Sequence, residues 1–156
     1  YVESGYQYDD RMSNQDWTRL VLTDFFLDEL NKSNETLNRA AGIANEFRST
    51  NTYQNLQGFI YLKKAVSISM TESEKDNFLS NAEKQFEISL NNSVTDALAF
   101  LGKSMTNYYK KNNSDYVQNL RSALTFDADI MNFQSDSEFN SYFKERSVKD
   151  LIKEFN

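Results

Sequence analysis

Residues 93–111 read SVTDALAFLGKSMTNYYKK, and this stretch decides the fold class. Val94, Ala97, Leu98, Leu101, Met105 and Tyr108 recur with the three-to-four-residue period that lines one face of an α-helix. Ser93, Thr95 and Asp96 supply side-chain oxygens able to accept from the free amides of a helix start. Lys110 and Lys111 place positive charge at the opposite end, where backbone carbonyls are unsatisfied. The segment is a helix with one apolar face, and such a face needs a neighbour.

Moving outward, the same period returns on both sides. Thr71-Glu72-Ser73-Glu74 has the pattern of a capping box and precedes Phe78, Leu79, Ala82, Phe86 and Leu90. Before it, a helix over 51–70 carries Leu56, Phe59, Ile60 and Leu62, and Asn34 is placed to cap another bearing Leu37, Ala40, Ala41, Ala44 and Phe47. The first helix, 14–30, is apolar around most of its circumference, so neighbours should enclose it. Toward the C-terminus, Ser114 is placed to cap a helix with Val117, Leu120, Ala123 and Leu124, followed by short helices near 137–144 and 147–155. No alternating, β-branched segment interrupts the series. The expectation is an all-α chain of six main helices and two short C-terminal ones, whose short polar connections make sequence neighbours antiparallel hairpins. Residues 1–13, which hold Tyr1, Tyr6 and Tyr8 and show no period, are expected to form an extended tail, and 14–156 a single helical domain.

Composition narrows the chemistry. A chain of 156 residues can bury a core of its own. With no Cys and no His it has no disulfide, no thiolate zinc site, no cysteine nucleophile and no histidine base. Four scattered glycines build no phosphate-cradling loop. Asp127-Ala128-Asp129 with Glu138 has the outline of a calcium loop, but Met131 and Asn132 stand where a ligand and the turn glycine are needed. Those acids read as helix-start residues, and pairs such as Asp24 with Asp28 as a solvated acidic face. No catalytic residue, cofactor or metal is expected, and the protein is expected not to be an enzyme.

A net charge of −6 disfavours nucleic acid and anionic membrane surfaces, both of which select for cations. Apolar runs such as 97–101 fall far short of the roughly 20 residues a bilayer-spanning helix requires. The chain opens on Tyr1 rather than Met, which fits a processed protein, so an exported location, periplasmic or as an outer-surface lipoprotein, is expected over the cytoplasm.

Sliding the chain along itself aligns Phe86 and Leu90 with Leu120 and Leu124 at a spacing of 34 residues. The stretch 56–62 likewise resembles 98–105, with Gly58 matching Gly102. At these residues the chain resembles the tetratricopeptide repeat family, in which helices A and B alternate and helix A carries a small residue in mid-helix. Gly58 with Tyr61 and Lys63-Lys64 is similar to one helix A, and Leu101-Gly102 with Tyr108-Tyr109 to another. Ala82, Phe86 and Leu90 are similar to one helix B, and Ala123-Leu124 to the end of the next. The family's helix-ending Pro is absent throughout.

The resemblance implies hairpins stacked as a short right-handed superhelix whose inner face, made by the A helices, binds protein or peptide. Carried over, that face is Thr52, Asn55, Phe59, Leu62 and Lys63 in one repeat, and Asp96, Ala99, Lys103, Thr106 and Asn107 in the next. Lysines there would pair with a partner's carboxylates, and Phe59 would anchor it. Two further readings fit the composition: a cell-envelope accessory protein enclosing a small ligand, and an exported helical surface lipoprotein that meets a host or neighbouring protein.

Overall fold

A computed structural model of the chain describes residues 12–111 and 115–156; the expected tail, up to Arg11, and the Ser114 cap lie outside the described residues. The elements in chain order are α1 Asn14–Phe26, α2 Leu30–Ile43, α3 Asn45–Arg48, α4 Asn51–Ser67, α5 Glu72–Asn92, α6 Ala97–Tyr109, α7 Tyr116–Thr125, α8 Met131–Ser135, a 3₁₀ turn Ser137–Phe139, α9 Asn140–Lys144 and α10 Arg146–Glu154. Every element among the described residues is helical, so the fold class is all-α.

Local chemistry sets most boundaries. Ser13 and Asp16 form a capping box at the head of α1, Asp16 N–H donating to Ser13 Oγ at 3.1 Å and Ser13 N–H to Asp16 Oδ2 at 3.0 Å. The bond from the Ser13 backbone, then that from its hydroxyl, holds the Asp16 carboxyl below its ordinary range. Thr71 and Glu74 close the second box, at the head of α5, as the sequence predicts. Thr50 caps α4 through Tyr53 N–H, and Asp96 caps α6 through Ala99 N–H.

The boundaries depart from the periodicity where the backbone breaks. The first helix stops at Phe26 instead of Leu30, because Asp28 takes a left-handed φ of 60° and the chain turns at once into α2. The second is cut at Ala44 (φ −110°, ψ 82°), which detaches Phe47 onto the four-residue α3. Val94, counted in the deciding stripe, lies ahead of α6 and is 74% exposed. In place of two short C-terminal helices, four helical pieces follow α7.

The main helices pack as pairs, α1 with α2, α4 with α5 and α6 with α7. The first helix of each later pair also touches both helices of the pair before it: α4 meets α1 and α2, and α6 meets α4 and α5. A close approach is made at the two matched glycines. The buried ring of Phe86 on α5 lies against Gly58 of α4 and Gly102 of α6, at positions where any side chain would collide with it. Gly58 and Gly102 thus form a notch for one aromatic ring, which lets three helix backbones draw together.

After α7 the chain turns at Asp127 (φ 65°) and returns across α1, α4 and α6. Phe133 of α8 lies 4.6 Å from Phe59, the rings tilted, and meets Phe25 and Phe26 at 6.3 and 5.0 Å, centroid to centroid. Phe139 lies 6.3 Å from Phe25. Further on, Tyr142 of α9 packs on Tyr108 and shares a 2.6 Å hydrogen bond with Ser104, both of α6. Phe139 and Tyr142 are fully buried, so this returning segment is part of the core.

Candidate functional site

Nine of the ten residues assigned to a binding face fall into three groups. Thr52, Asn55 and Phe59 come together on the wall of one cavity. Leu62 and Lys63 are buried, and so are Thr106 and Asn107 on α6. Asp96 and Lys103 are partly exposed. The structure therefore places much of the expected face inside the molecule, with Phe59 and Lys63 against the chain's own returning segment.

Lys63 shows how that covering works. Its ammonium, on a residue 1% exposed, donates to the Phe25 carbonyl, a group left free in the last turn of α1. It also pairs with Asp136 Oδ2 at 2.7 Å and Asp28 Oδ1 at 3.0 Å, and it sits 4.4 Å from the centre of the Phe25 ring. A buried cation is tolerable only when so enclosed. The carboxylate expected from a partner is here supplied by Asp136 of the same chain, and Phe59, the expected anchor, packs against Phe133. Asp136 has a second task, since its Oδ1 accepts from Glu138 N–H and so caps the 3₁₀ turn.

Lys103 points elsewhere, 3.9 Å from Glu87 of α5. The Thr106 hydroxyl turns back onto the Gly102 carbonyl at 2.7 Å. Ala99 is fully buried. Asp24 and Asp28, read as one acidic face, separate: Asp24 is buried on α1, whereas Asp28 lies beyond its end against Lys63. Among the described residues, no three acidic side chains gather into a group that could hold a metal ion, and no helix is long and apolar enough to cross a membrane.

Thr52, Asn55 and Phe59 of the expected face line an open cavity at the N-terminal half of α4. It measures about 170 Å³. Its apolar wall is Leu22 and Phe26 of α1, Leu56 and Phe59 of α4, Leu98 of α6 and Phe133 of α8. Thr18, Thr52, Asn55, Asn132 and Asp129 supply the polar groups. A shallower recess along α1, reaching Arg19 and Leu27, shares Leu22, Phe26 and Asn132 with it.

Asn55 is held in one orientation by its neighbours. Its Nδ2 donates to both oxygens of Asp96, each at 3.1 Å, while Asn51 Nδ2 donates to Asp96 Oδ2 at 2.9 Å and to the Ser89 carbonyl at 3.0 Å. These bonds tie the head of α4 to the tail of α5 and the cap of α6. A carboxylate only accepts, so the amide nitrogen of Asn55 must face Asp96 and its carbonyl must face away. That carbonyl, Oδ1, is buried and has no hydrogen-bond partner.

Sequence reasoning placed Thr52, Asn55 and Phe59 at this site and missed the rest of its wall. Leu22 and Phe26 were submerged in a helix apolar on nearly every side, where periodicity cannot say which residue faces a cavity. Phe133 and Asn132 lie in a stretch too short to show a period. Compared with known proteins, the chain matches no family model, no curated protein and no solved structure, so its site is characterised by its own geometry.

Proposed function

We propose that the protein is a non-catalytic module that binds protein or peptide, built on a tetratricopeptide-like stack of three helical hairpins. Support for the stack comes from the repeated packing relation, in which each later pair sets its first helix against both helices of the pair before it. The matched glycines, Gly58 and Gly102, lie at corresponding places in two successive first helices and share the ring of Phe86.

The observation that carries the binding role is the open cavity itself, an apolar hollow left where the returning segment stops covering the inner face. Its surroundings are apolar as well: Leu98 on its wall is 37% exposed, and Leu27 and Met131 nearby in sequence are 67% and 73% exposed. A hollow of about 170 Å³ is smaller than the roughly 300–1,000 Å³ of pockets that engulf drug-sized ligands, and it suits one side chain of a larger partner.

Selection of the full chain against a displayed random-peptide library tests the reading. A recurrent motif should be enriched, and its capture should fall at least tenfold with Leu98→Glu, which puts a charge on the cavity wall at a position exposed enough to spare the fold. Absence of any enriched motif, or enrichment indifferent to that substitution and to all inner-face changes, would contradict it.

A further inference from the structure

We propose that Lys63 and Asp136 condense, within the folded chain and without an added reagent, into an amide bond that cross-links α4 to the returning segment, with Asp28 carrying a proton between them. The inference is independent of the binding role.

The reacting groups are already in place. Lys63 Nζ lies 2.7 Å from Asp136 Oδ2, and both side chains are almost wholly buried. Its other polar contacts are the Phe25 carbonyl and, at 3.0 Å, Asp28 Oδ1, so each of the three ammonium hydrogens has an acceptor of its own. The second oxygen of Asp136, Oδ1, accepts from Glu138 N–H at 3.1 Å. When Nζ adds to Cγ of Asp136, negative charge gathers on Oδ1, and this backbone donor is there to receive it. Holding both groups in this geometry turns an encounter in solution into a step within one molecule, worth an effective concentration of about 10⁵ M or more.

The atoms balance without a co-reactant. The ammonium first passes a proton along its hydrogen bond to Oδ2, leaving an amine beside a carboxylic acid. The lone pair of Nζ then forms the Nζ–Cγ bond, and Asp28 Oδ1 takes the second proton from the nitrogen. Asp28 hands that proton to Oδ2, the Cγ–Oδ2 bond breaks, and the oxygen leaves as water. The third hydrogen, aimed at the Phe25 carbonyl, stays as the amide N–H. Asp28 ends in the form in which it began. Asp28, Lys63 and Glu138 line one recess of about 240 Å³, which gives the water a way out.

Burial sets the direction. In water, hydration of the separated ions favours hydrolysis of such an amide, but here both ions have been stripped of that hydration. The Phe25 ring, centred 4.4 Å from Nζ, and Phe139, 6.3 Å from Phe25, make the surroundings apolar, and both are buried. Condensation exchanges a buried ion pair for a neutral amide, which costs less to bury. The Phe25 carbonyl and Glu138 N–H keep their partners in the product.

Mass spectrometry of the full chain, unfolded for the measurement, is the test. The unaltered chain should weigh one water molecule less than its sequence, whereas Lys63→Met and Asp136→Ala should show their full sequence masses. Trypsin does not cut after an acylated lysine, so digestion should give a branched peptide joining residues 49–64 to residues 122–144. That map, made on the unaltered chain, decides even if the variants fail to fold. Asp28→Asn suits the left-handed φ of 60° and keeps an acceptor, but it cannot carry the proton. In chains made by cell-free synthesis and sampled over time, it should lose water about a hundredfold more slowly than the unaltered chain.

A full sequence mass for the unaltered chain after long incubation would overturn the proposal. So would a loss of water that maps to any pair other than Lys63 and Asp136, or one that persists in Lys63→Met. Loss of water by Asp28→Asn at the unaltered rate would overturn the role given to Asp28.

Discussion

Replacing Gly102 by alanine sets two physical effects against each other, and the structure says which wins. In mid-helix, alanine is favoured over glycine by about 1 kcal/mol, because glycine loses more backbone freedom on folding. A Cβ at Gly102, however, would lie 2.2 Å from both Cε1 and Cζ of Phe86, far inside van der Waals contact. The ring cannot swing away cheaply. It is fully buried, and on its other side a Cβ at Gly58 would already stand 2.7 Å away, so the space between the two helices is used up. Overpacking of this kind costs about 1 to 3 kcal/mol or somewhat more. An overlap as deep as 2.2 Å belongs at the upper end of that range, so the net expectation is a loss of about 1 to 2 kcal/mol, or about 2 to 8 °C in Tm for a domain of this size. Gly58→Ala should be milder, and Gly42→Ala, with nothing within 4 Å, should be neutral or stabilising by up to about 1 kcal/mol. Phe86→Leu removes the atoms in the way, so Gly102→Ala should cost at least about 1 kcal/mol less in that background than alone. Urea unfolding followed by far-UV circular dichroism measures all five variants against the unaltered chain, with the midpoint shift read at constant slope. Stabilisation by Gly102→Ala equal to that by Gly42→Ala would refute the notch and the three-helix packing built on it.

Lys63→Met should destabilise by about 3 to 5 kcal/mol, since it strands the buried Asp136 carboxylate, and adding Asp136→Asn, which keeps the capping oxygen and drops the charge, should restore part of the loss. A loss under about 1 kcal/mol for the single variant in urea unfolding would show that the ion pair is not buried as described. Burial pushes the Tyr109 and Tyr142 hydroxyls above their ordinary value of 10.0, so the fold favours their neutral forms. The stability they confer is complete below about pH 10 and is lost as the pH climbs past that value. Absorbance at 295 nm should accordingly rise in two steps, the later one accompanied by loss of helical ellipticity; a single step near pH 10 for all nine tyrosines, with the dichroism unchanged, would contradict their burial.

Most of the fold was legible in the sequence because helix-forming information is local. The Thr71–Glu74 box and the Asp96 cap are written within four residues, and the structure uses both. The stops were harder to see. Asp28, Lys111 and Asp127 adopt left-handed φ values that glycine would normally signal, so α1 was expected to run four residues too far. The matched glycines were legible as a pair, but their meaning, a shared aromatic ring, needed the packing. The wall of the candidate cavity was legible only in part. Residues 52 to 59 carry the helical spacing that sets Thr52, Asn55 and Phe59 on one wall, whereas the fate of Lys63 depended on Asp136, 73 positions away, and no local pattern encodes such a meeting.

The returning segment has a consequence for how the molecule comes apart. In an open array of helical repeats each unit touches only its neighbours, so terminal units fray and can be removed piecemeal. Here the last third of the sequence is stitched into the first half: Phe133 reaches Phe25 and Phe26, and Asp136 reaches Lys63. Neither end can loosen without exposing aromatic core at the other. Unfolding is therefore expected to be all-or-none across the packed helices, and fragments that stop after α7 lack the rings of Phe133, Phe139 and Tyr142.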